Sequence, residues 1–251
     1  MTSVPKPADI PNPEAKKKKK RKIVFLTLFV CILIPCLLFF FKDKIGIGKM
    51  EEGIVEYDVF YPGIDAENNM MAAGLPDDAK YYFKDKKTLT QLSGMMGLIE
   101  IGYIADESAR TAFQTLVLFQ NKYVALLDEA GVKSVNGDFV KEIKLIDGEK
   151  KKIANYNCMK AQAILVSGKE IDVWYTKELG SPGTNWSNPY SKLDGVLMEF
   201  EIEKYGITMK LVANKVISEA VNDEQFVVPA DYKKMPIQEI ENIMKTLNPV
   251  K

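Results

Sequence analysis

The stretch VLMEFEIEKYGITMKL (196–211) decides the fold class, because apolar and charged side chains alternate along it with a period of two. Its first half divides into an apolar face and a mainly acidic face: Val196, Met198, Phe200 and Ile202 against Leu197, Glu199, Glu201 and Glu203. This period is typical of a β-strand between a core and water. Lys204-Tyr205-Gly206 indicates a turn, and Lys210 in the returning strand is expected opposite the glutamates. The stretch therefore predicts an antiparallel hairpin.

The same pattern recurs along the chain after residue 50. It is clear in GIVEYDVFY (53–61) and EIDVWYTKE (170–178), and shorter apolar runs occupy 80–83, 88–93, 98–105, 111–119 and 122–128. Asn136-Gly137, Asp147-Gly148 and Ser167-Gly168 are turn signals. Counted by these criteria, the sequence predicts about ten strands with short connections, which favours an antiparallel meander.

Helices are expected to be few. Residues 66–75 are compatible with a short helix, and 236–247 has a clear apolar stripe after Pro236: Ile237, Ile240, Ile243, Met244 and Leu247. Such a stripe usually packs on a sheet. We predict a mainly β (α+β) fold in which a strongly curved antiparallel sheet carries one or two helices on its concave side.

The charge is divided unequally along the chain. Residues 1–49 contain 11 basic and three acidic side chains, which leaves 23 basic and 31 acidic ones after residue 49. An acidic domain repels phosphate backbones, so nucleic-acid binding is not expected. Histidine is absent from the sequence, which excludes Ser-His-Asp and Cys-His catalysis and makes most zinc sites untenable.

The N-terminal region has the features of a membrane anchor. Residues 1–22 are predicted to be a disordered basic cytoplasmic tail, 23–41 a transmembrane helix and 42–50 a linker to an extracytoplasmic domain at 51–251. A cleaved signal peptide and a lipoprotein signal are the alternatives, but the cleavage and lipidation sites are poor. We expect a single-pass protein of a bacterial inner membrane, with residues 45–251 in the periplasm.

Residues with catalytic potential have simpler interpretations. Glu199 and Glu201 share a strand face, as two glycosidase carboxylates would, but such pairs are common on solvated sheets. Cys158 has neither an imidazole base nor a second thiol after residue 50, so it is expected to be a packing residue. Asn185-Trp186-Ser187 matches a glycosylation sequon. We expect no enzymatic activity, no metal and no cofactor.

Methionine is frequent, with ten of the 11 residues lying after residue 49. Its flexible thioether suits irregular apolar ligands, although core packing is the more ordinary interpretation and copper binding is a remote third one. A groove in the curved sheet is predicted to be lined by methionines and by two aromatic residues: Met70, Met71, Met95, Met96, Trp174, Met198, Phe200 and Met209.

Several segments together resemble a known family: GIVEYDV, LPDDAKYYFKDKK, IANYNCMKA, VWYTKEL, LDGVLMEFE and FVVPADYKKMPIQE. They resemble an uncharacterised family of bacterial envelope proteins that is grouped with the LolA-like lipoprotein carriers. The resemblance implies a LolA-like incomplete barrel whose hollow holds acyl chains. We therefore expect a membrane-anchored protein that binds a lipid or an acylated protein; the alternative is a structural or protein-interaction module with a filled core.

Overall fold

The computed structural model of the protein describes residues 49–64, 69, 72–136 and 139–248. The predicted tail (1–22), the predicted transmembrane helix (23–41) and nearly all of the predicted linker lie outside these residues. In the described part of the chain, no helix has the length and apolarity needed to cross a membrane. Met50 already belongs to the folded part, because it forms a parallel bridge with Leu179.

The described chain forms twelve strands and two α-helices. The strands are β1 (Glu52–Phe60), β2 (Asp78–Lys84), β3 (Lys87–Gly94), β4 (Ile99–Asp106), β5 (Thr111–Leu118), β6 (Asn121–Leu127), β7 (Val140–Ile153), β8 (Tyr156–Leu165), β9 (Glu170–Thr176), β10 (Val196–Lys204), β11 (Ile207–Ile217) and β12 (Lys233–Lys234). The helices are α1 (Glu129–Asn136) and α2 (Ile237–Thr246), and short 3₁₀ turns cover Ala72–Gly74, Met95–Gly97 and Asp223–Phe226.

All twelve strands belong to one sheet, in the order β12-β6-β5-β4-β3-β2-β1-β11-β10-β9-β8-β7. Neighbours pair in antiparallel fashion except β12, which runs parallel to β6. Two meanders, β1–β6 and β7–β11, are joined through the β1–β11 pair. The predicted antiparallel, mainly β architecture is confirmed in this form.

The sheet is strongly curved. β5 and β10 are six strand positions apart, which is roughly 29 Å in a flat sheet. Nevertheless Gln114 of β5 and Phe200 of β10 line the same cavity. The two meanders also meet through α1, which packs on β5 and β6 and accepts hydrogen bonds from Lys204 of β10. The curved, open sheet predicted from the sequence is therefore present.

Both helices pack on the concave face of β4–β6. Val132 of α1 lies against Ala105, Ala112 and Leu127, and Ile240 of α2 is completely buried against Leu116 and Ala125. The prediction of α2 is confirmed, with Pro236 as its N-cap and Leu247 as its C-cap. Of the helix predicted at 66–75, the described part contains only the turn Ala72–Gly74.

Three elements differ from the sequence prediction. The sequence predicts neither α1 nor the two-residue strand β12, and it predicts a turn at Asp147-Gly148, a pair that lies within β7. In the structure β7 continues through this pair, and the ladder to β8 shifts register between Ile146 and Lys150. β7 is an edge strand rich in lysine, so its burial pattern lacks the alternation of a strand packed on a core.

Candidate functional site

A cavity of about 440 Å³ occupies the concave side of the sheet. Aliphatic and aromatic side chains from both meanders and from the end of α2 form most of its wall: Leu92, Ile99, Ile101, Leu118, Leu197, Phe200, Ile202, Ile207, Met209, Leu211, Met244 and Leu247, together with six tyrosines. The volume is within the range of roughly 300–1,000 Å³ that is usual for small-molecule sites. The hollow expected from the sequence is therefore open rather than filled.

Strand β10 supplies one side of this wall, but a bulge changes which residues do so. The ladder to β9 shifts register between Leu197 and Glu199, so that Leu197 lines the cavity together with Phe200 and Ile202. Met198 lies at the bulge and is completely buried in the core beside Cys158. The strict alternation that grouped Met198 with Phe200 is wrong at this point, because one extra residue shifts the side chains that follow it.

An aromatic cluster lies along the wall around Phe200. Its ring makes edge-to-face contacts with Tyr57 at 6.0 Å and with Tyr190 at 5.9 Å between centroids. Tyr190 belongs to the β9–β10 connection, which Asn185 holds together internally and which Trp186 links to the β4–β5 turn. Asn185 donates to the backbone oxygens of Leu193 and Gly195, and Arg110 lies over the Trp186 ring. The connection thus closes one side of the cavity.

The tyrosine hydroxyls in the wall bind the protein itself. Tyr57 donates to the oxygen of Leu197 at 2.7 Å, Tyr61 to that of Pro76 at 2.6 Å and Tyr103 to that of Ser187 at 3.1 Å. Tyr81 is hydrogen bonded to Thr184 at 2.8 Å. Burial raises the pKa of Tyr81 and of Tyr103 to about 12. These hydroxyls therefore stay uncharged near neutral pH, and the rings add apolar surface.

Lys204 is the one charged side chain in the described wall of the cavity. It follows Phe200 and Ile202 on the concave face of β10 and is paired with Ile207 of β11. Its ammonium donates to the carbonyl oxygen of Val135 at 3.0 Å and to the side-chain oxygen of Asn136 at 3.2 Å. Burial lowers the pKa of this amine to about 8, although Glu241 acts in the opposite direction.

Exposed apolar residues lie where the cavity wall reaches the turns. Met95 and Phe119 line the cavity and are 43% and 57% exposed. Met96, the next residue after Met95, is fully exposed, and the Phe119 nitrogen donates to the Leu98 oxygen, so the two turns are joined. We call Met95, Met96, Leu98 and Phe119 the apolar rim. The antiparallel pairing places it at the same end of the sheet as the β10–β11 turn.

The eight residues predicted to line a groove have different environments. Met95, Phe200 and Met209 are in the cavity wall; Met96 is in the apolar rim and Met198 in the core. Trp174 is outside the wall, below two ammonium groups, Lys151 at 5.2 Å and Lys160 at 5.8 Å from its ring. Met70 and Met71 lie outside the described residues. Whether any of these residues binds a ligand stays a prediction.

Lys204 was missed because Lys-Tyr-Gly has the composition of a turn. The signal was present in the sequence, since Lys204 is two residues beyond Ile202 and four beyond Phe200. Side chains with this spacing share a strand face. A lysine in an apolar row is informative, because an unneutralised charge is seldom buried.

The two glutamates considered as catalytic candidates form ion pairs with lysines. Glu199 binds Lys151 and Lys210, and Glu201 binds Lys169 at 2.7 Å. Burial opposes ionisation of Glu199, but the two lysines outweigh it and lower its pKa. Lys210 lies opposite Glu201 as predicted.

Cys158 and Asn185 are both buried. The Cys158 side chain is inaccessible, and burial raises the pKa of its thiol to about 11, which agrees with a packing residue. The Asn185 amide nitrogen of the sequon is engaged in two hydrogen bonds inside the fold. Among the described residues, no group of three or more potential metal ligands is found.

Neither a protein-family model nor a curated protein matches the sequence, so membership of the envelope family stays a prediction. Among solved structures, the crystal structure of LprF from Mycobacterium bovis is similar at 12% sequence identity and a TM-score of 0.27. The match covers 71% of this chain and 90% of LprF. At so low a TM-score and identity, the likeness assigns neither a fold family nor a function to the chain.

Proposed function

We propose that this protein binds a hydrophobic ligand, a lipid or the acyl part of an acylated protein, in the cavity of its curved sheet. The observation that supports this is the 440 Å³ cavity with a wall of aliphatic and aromatic side chains. An apolar cavity of this size is costly to maintain, because its lining lacks contacts that a packed core would provide. A ligand that fills the cavity supplies those contacts.

The hydrogen bonds of the wall support an apolar ligand rather than a polar one. The hydroxyls of Tyr57, Tyr61 and Tyr103 are already satisfied by backbone oxygens. A sugar or a nucleotide would need several converging polar groups that were open to it. An acyl chain needs only apolar surface, which is what these rings offer. The open cavity also favours ligand binding over the alternative of a structural module with a filled core.

The proposal retains the expectations from the sequence that concern the rest of the protein. The chain is a single-pass inner-membrane protein with its cavity domain in the periplasm, it has no enzymatic activity, and its hollow is of the LolA-like type. The apolar rim at Met95, Met96 and Phe119 is where an acyl chain enters, since it connects the cavity wall with exposed apolar surface.

Photolabelling of the full chain in phosphatidylcholine vesicles tests the proposal. The probe is hexadecanol that carries a diazirine on its chain, and labelled peptides are mapped by mass spectrometry. We expect labels on peptides of the cavity wall, such as those with Ile101 and Ile202. Met209→Trp should remove these labels, because Met209 borders the cavity and an indole fills part of it.

The matched control is Leu145→Trp, which adds the same indole at a position that is 63% exposed and outside the cavity wall. This variant should be labelled like the unmodified chain. Labels confined to residues 23–41, or wall labels of equal intensity in Met209→Trp, would contradict binding in the cavity.

A further inference from the structure

We infer that the ligand of the cavity is an anionic amphiphile, whose acyl chain lies in the apolar hollow and whose carboxylate or phosphate group pairs with Lys204. The inference rests on the proposed function and adds the chemistry of the ligand's polar end. It follows from the position of one ammonium group in a wall whose other described side chains are uncharged.

The surroundings of Lys204 leave its charge without a full counter-ion in the described structure. Its two acceptors are the oxygens of Val135 and Asn136, both in the last turn of α1. A helix C-terminus has only about half a negative charge, spread over several carbonyls. No carboxylate among residues 49–64, 69, 72–136 and 139–248 is within 4 Å of this ammonium.

Glu241 of α2 is the acidic group that acts on the pKa of Lys204 and raises it. The same carboxylate also pairs with Lys245 at 3.7 Å. Tyr103 and Tyr205 face the same region, and burial raises the pKa of both hydroxyls. The lowered pKa of Lys204 shows that this environment does not stabilise its positive charge as well as water does. An anionic group beside it would do so.

The location of Lys204 suits an amphiphile with its polar end near the surface. It is the last residue of β10, next to the turn that shares one end of the sheet with the apolar rim. The row below it on the same strand is Ile202 and Phe200, which line the cavity. A chain that extends from Lys204 along this row would therefore lie in the hollow.

The net charge of the protein does not favour the binding of anions in general, so an anion at Lys204 would be bound through a specific contact. The part after residue 49 has 23 basic and 31 acidic side chains, so its field repels anions. An anion held in the cavity must therefore gain from a local contact. A structural role for Lys204 in capping α1 would give no preference between anionic and neutral ligands.

The test is competition against the neutral diazirine-bearing hexadecanol in phosphatidylcholine vesicles that contain the full chain. Three competitors share one chain length: hexadecanoate, hexadecyl phosphate and hexadecanol. In the unmodified protein, an anionic competitor should displace the probe from the cavity roughly ten-fold better than hexadecanol, the effect expected of one charge-assisted hydrogen bond. The stronger of the two anions identifies carboxylate or phosphate as the preferred group.

Variants of Lys204 separate its charge from its capping role. Lys204→Gln can still donate to the helix carbonyls but has no charge, and it should bring the three competitors to within about two-fold of each other. Lys204→Arg keeps the charge and should keep the preference. Circular dichroism of both variants reports that they are folded, and displacement of the neutral probe is compared among the three competitors within each variant.

Two outcomes would overturn the inference. If all three competitors are equally effective against the unmodified chain, or if Lys204→Gln keeps the full preference for anions, Lys204 does not recognise the polar end while the cavity still binds hydrophobic ligands. If the neutral probe itself fails to label the cavity wall, the proposed function fails and the inference fails with it.

Discussion

The charged side chains on the two faces of strand β10 differ in how they are paired. On the outer face, Glu199 and Glu201 are matched by lysines: Lys210 of the neighbouring strand β11, Lys151 of β7 and Lys169 of the β8–β9 turn. On the inner face, Lys204 follows two apolar residues and donates to the backbone oxygen of Val135 and the side-chain oxygen of Asn136 at the end of α1. The outer charges are thus paired within the sheet, and the inner charge is the one that we propose to pair with a ligand.

The largest expected difference between the faces is in packing. Phe200→Ala removes a ring that contacts Tyr57 and Tyr190, and we expect it to lower the free energy of unfolding by about 3 kcal/mol. Glu201→Ala, on the other face, removes an ion pair with an exposed lysine and should cost less than about 1 kcal/mol. Urea titration followed by tryptophan fluorescence measures both, since both tryptophans of the chain are in the folded part. Equal losses would contradict the assignment of Phe200 to a packed aromatic cluster on the inner face.

A second difference concerns pH. The pKa of Lys204 is lowered to about 8 in the folded chain from an ordinary value of 10.5. Between these two pH values, the unfolded chain therefore keeps a proton on this amine that the folded chain has lost. Stability of the native protein relative to Lys204→Met should therefore rise as the pH increases from about 8 towards 10.5, by roughly 2 kcal/mol in the free energy of unfolding after allowance for partial exposure.

Urea titrations of the two chains at about pH 7.5, 9 and 10, which lie below and within the pH window stated above, would measure this difference. The buried tyrosines are the same in both, so their titration cancels. A constant difference would show that the amine is as well solvated in the folded protein as in the unfolded chain, and one that falls with pH would show that folding stabilises its charge. Either result would contradict an unfavourably buried charge on the inner face.

The smallest effect is expected on the outer face. Glu199→Gln weakens its pairs with Lys151 and Lys210, and we expect a loss of about 0.5–1 kcal/mol that shrinks at high salt. Because these lysines lower the pKa of Glu199, its contribution is present above the ordinary carboxyl pKa and is lost as the pH falls below it. Urea titrations at two salt concentrations measure it; a salt-independent loss above 2 kcal/mol, on the scale of a buried pair, would contradict the distinction between the faces.

The sequence predicted the architecture better than the site because periodicity records burial and does not record register. The alternation along 196–203 identified the strand, and Phe200 and Ile202 do line the cavity. The bulge at Met198 has no signal in the composition, so this residue was assigned to the wrong environment. Likewise, the β7 edge strand has a run of lysines in place of an apolar face, and the sequence predicted a turn at Asp147-Gly148 within it.

The sequence prediction missed the two residues that define the site best, for different reasons. Lys204 was assigned to a turn, although its spacing from Ile202 places it on the inner face. Val135, which accepts from it, belongs to α1, a helix that contains Gly131 and ends at the Asn136-Gly137 turn signal. Glycine lowers helix propensity, so packing of Val132 against β5 and β6 decides this helix rather than its local sequence.

The central claim is that the native protein holds an amphiphile in the cavity of its sheet, and the contents of the purified protein test it most directly. The full chain, Met209→Trp and Leu145→Trp are purified identically, and their bound lipids are extracted and quantified by mass spectrometry. Any lipid around the predicted anchor is common to all three. We predict one acyl-bearing, anionic amphiphile that is retained by the unmodified chain and by Leu145→Trp and is depleted in Met209→Trp. Equal recovery of every amphiphile from the three proteins would contradict the claim.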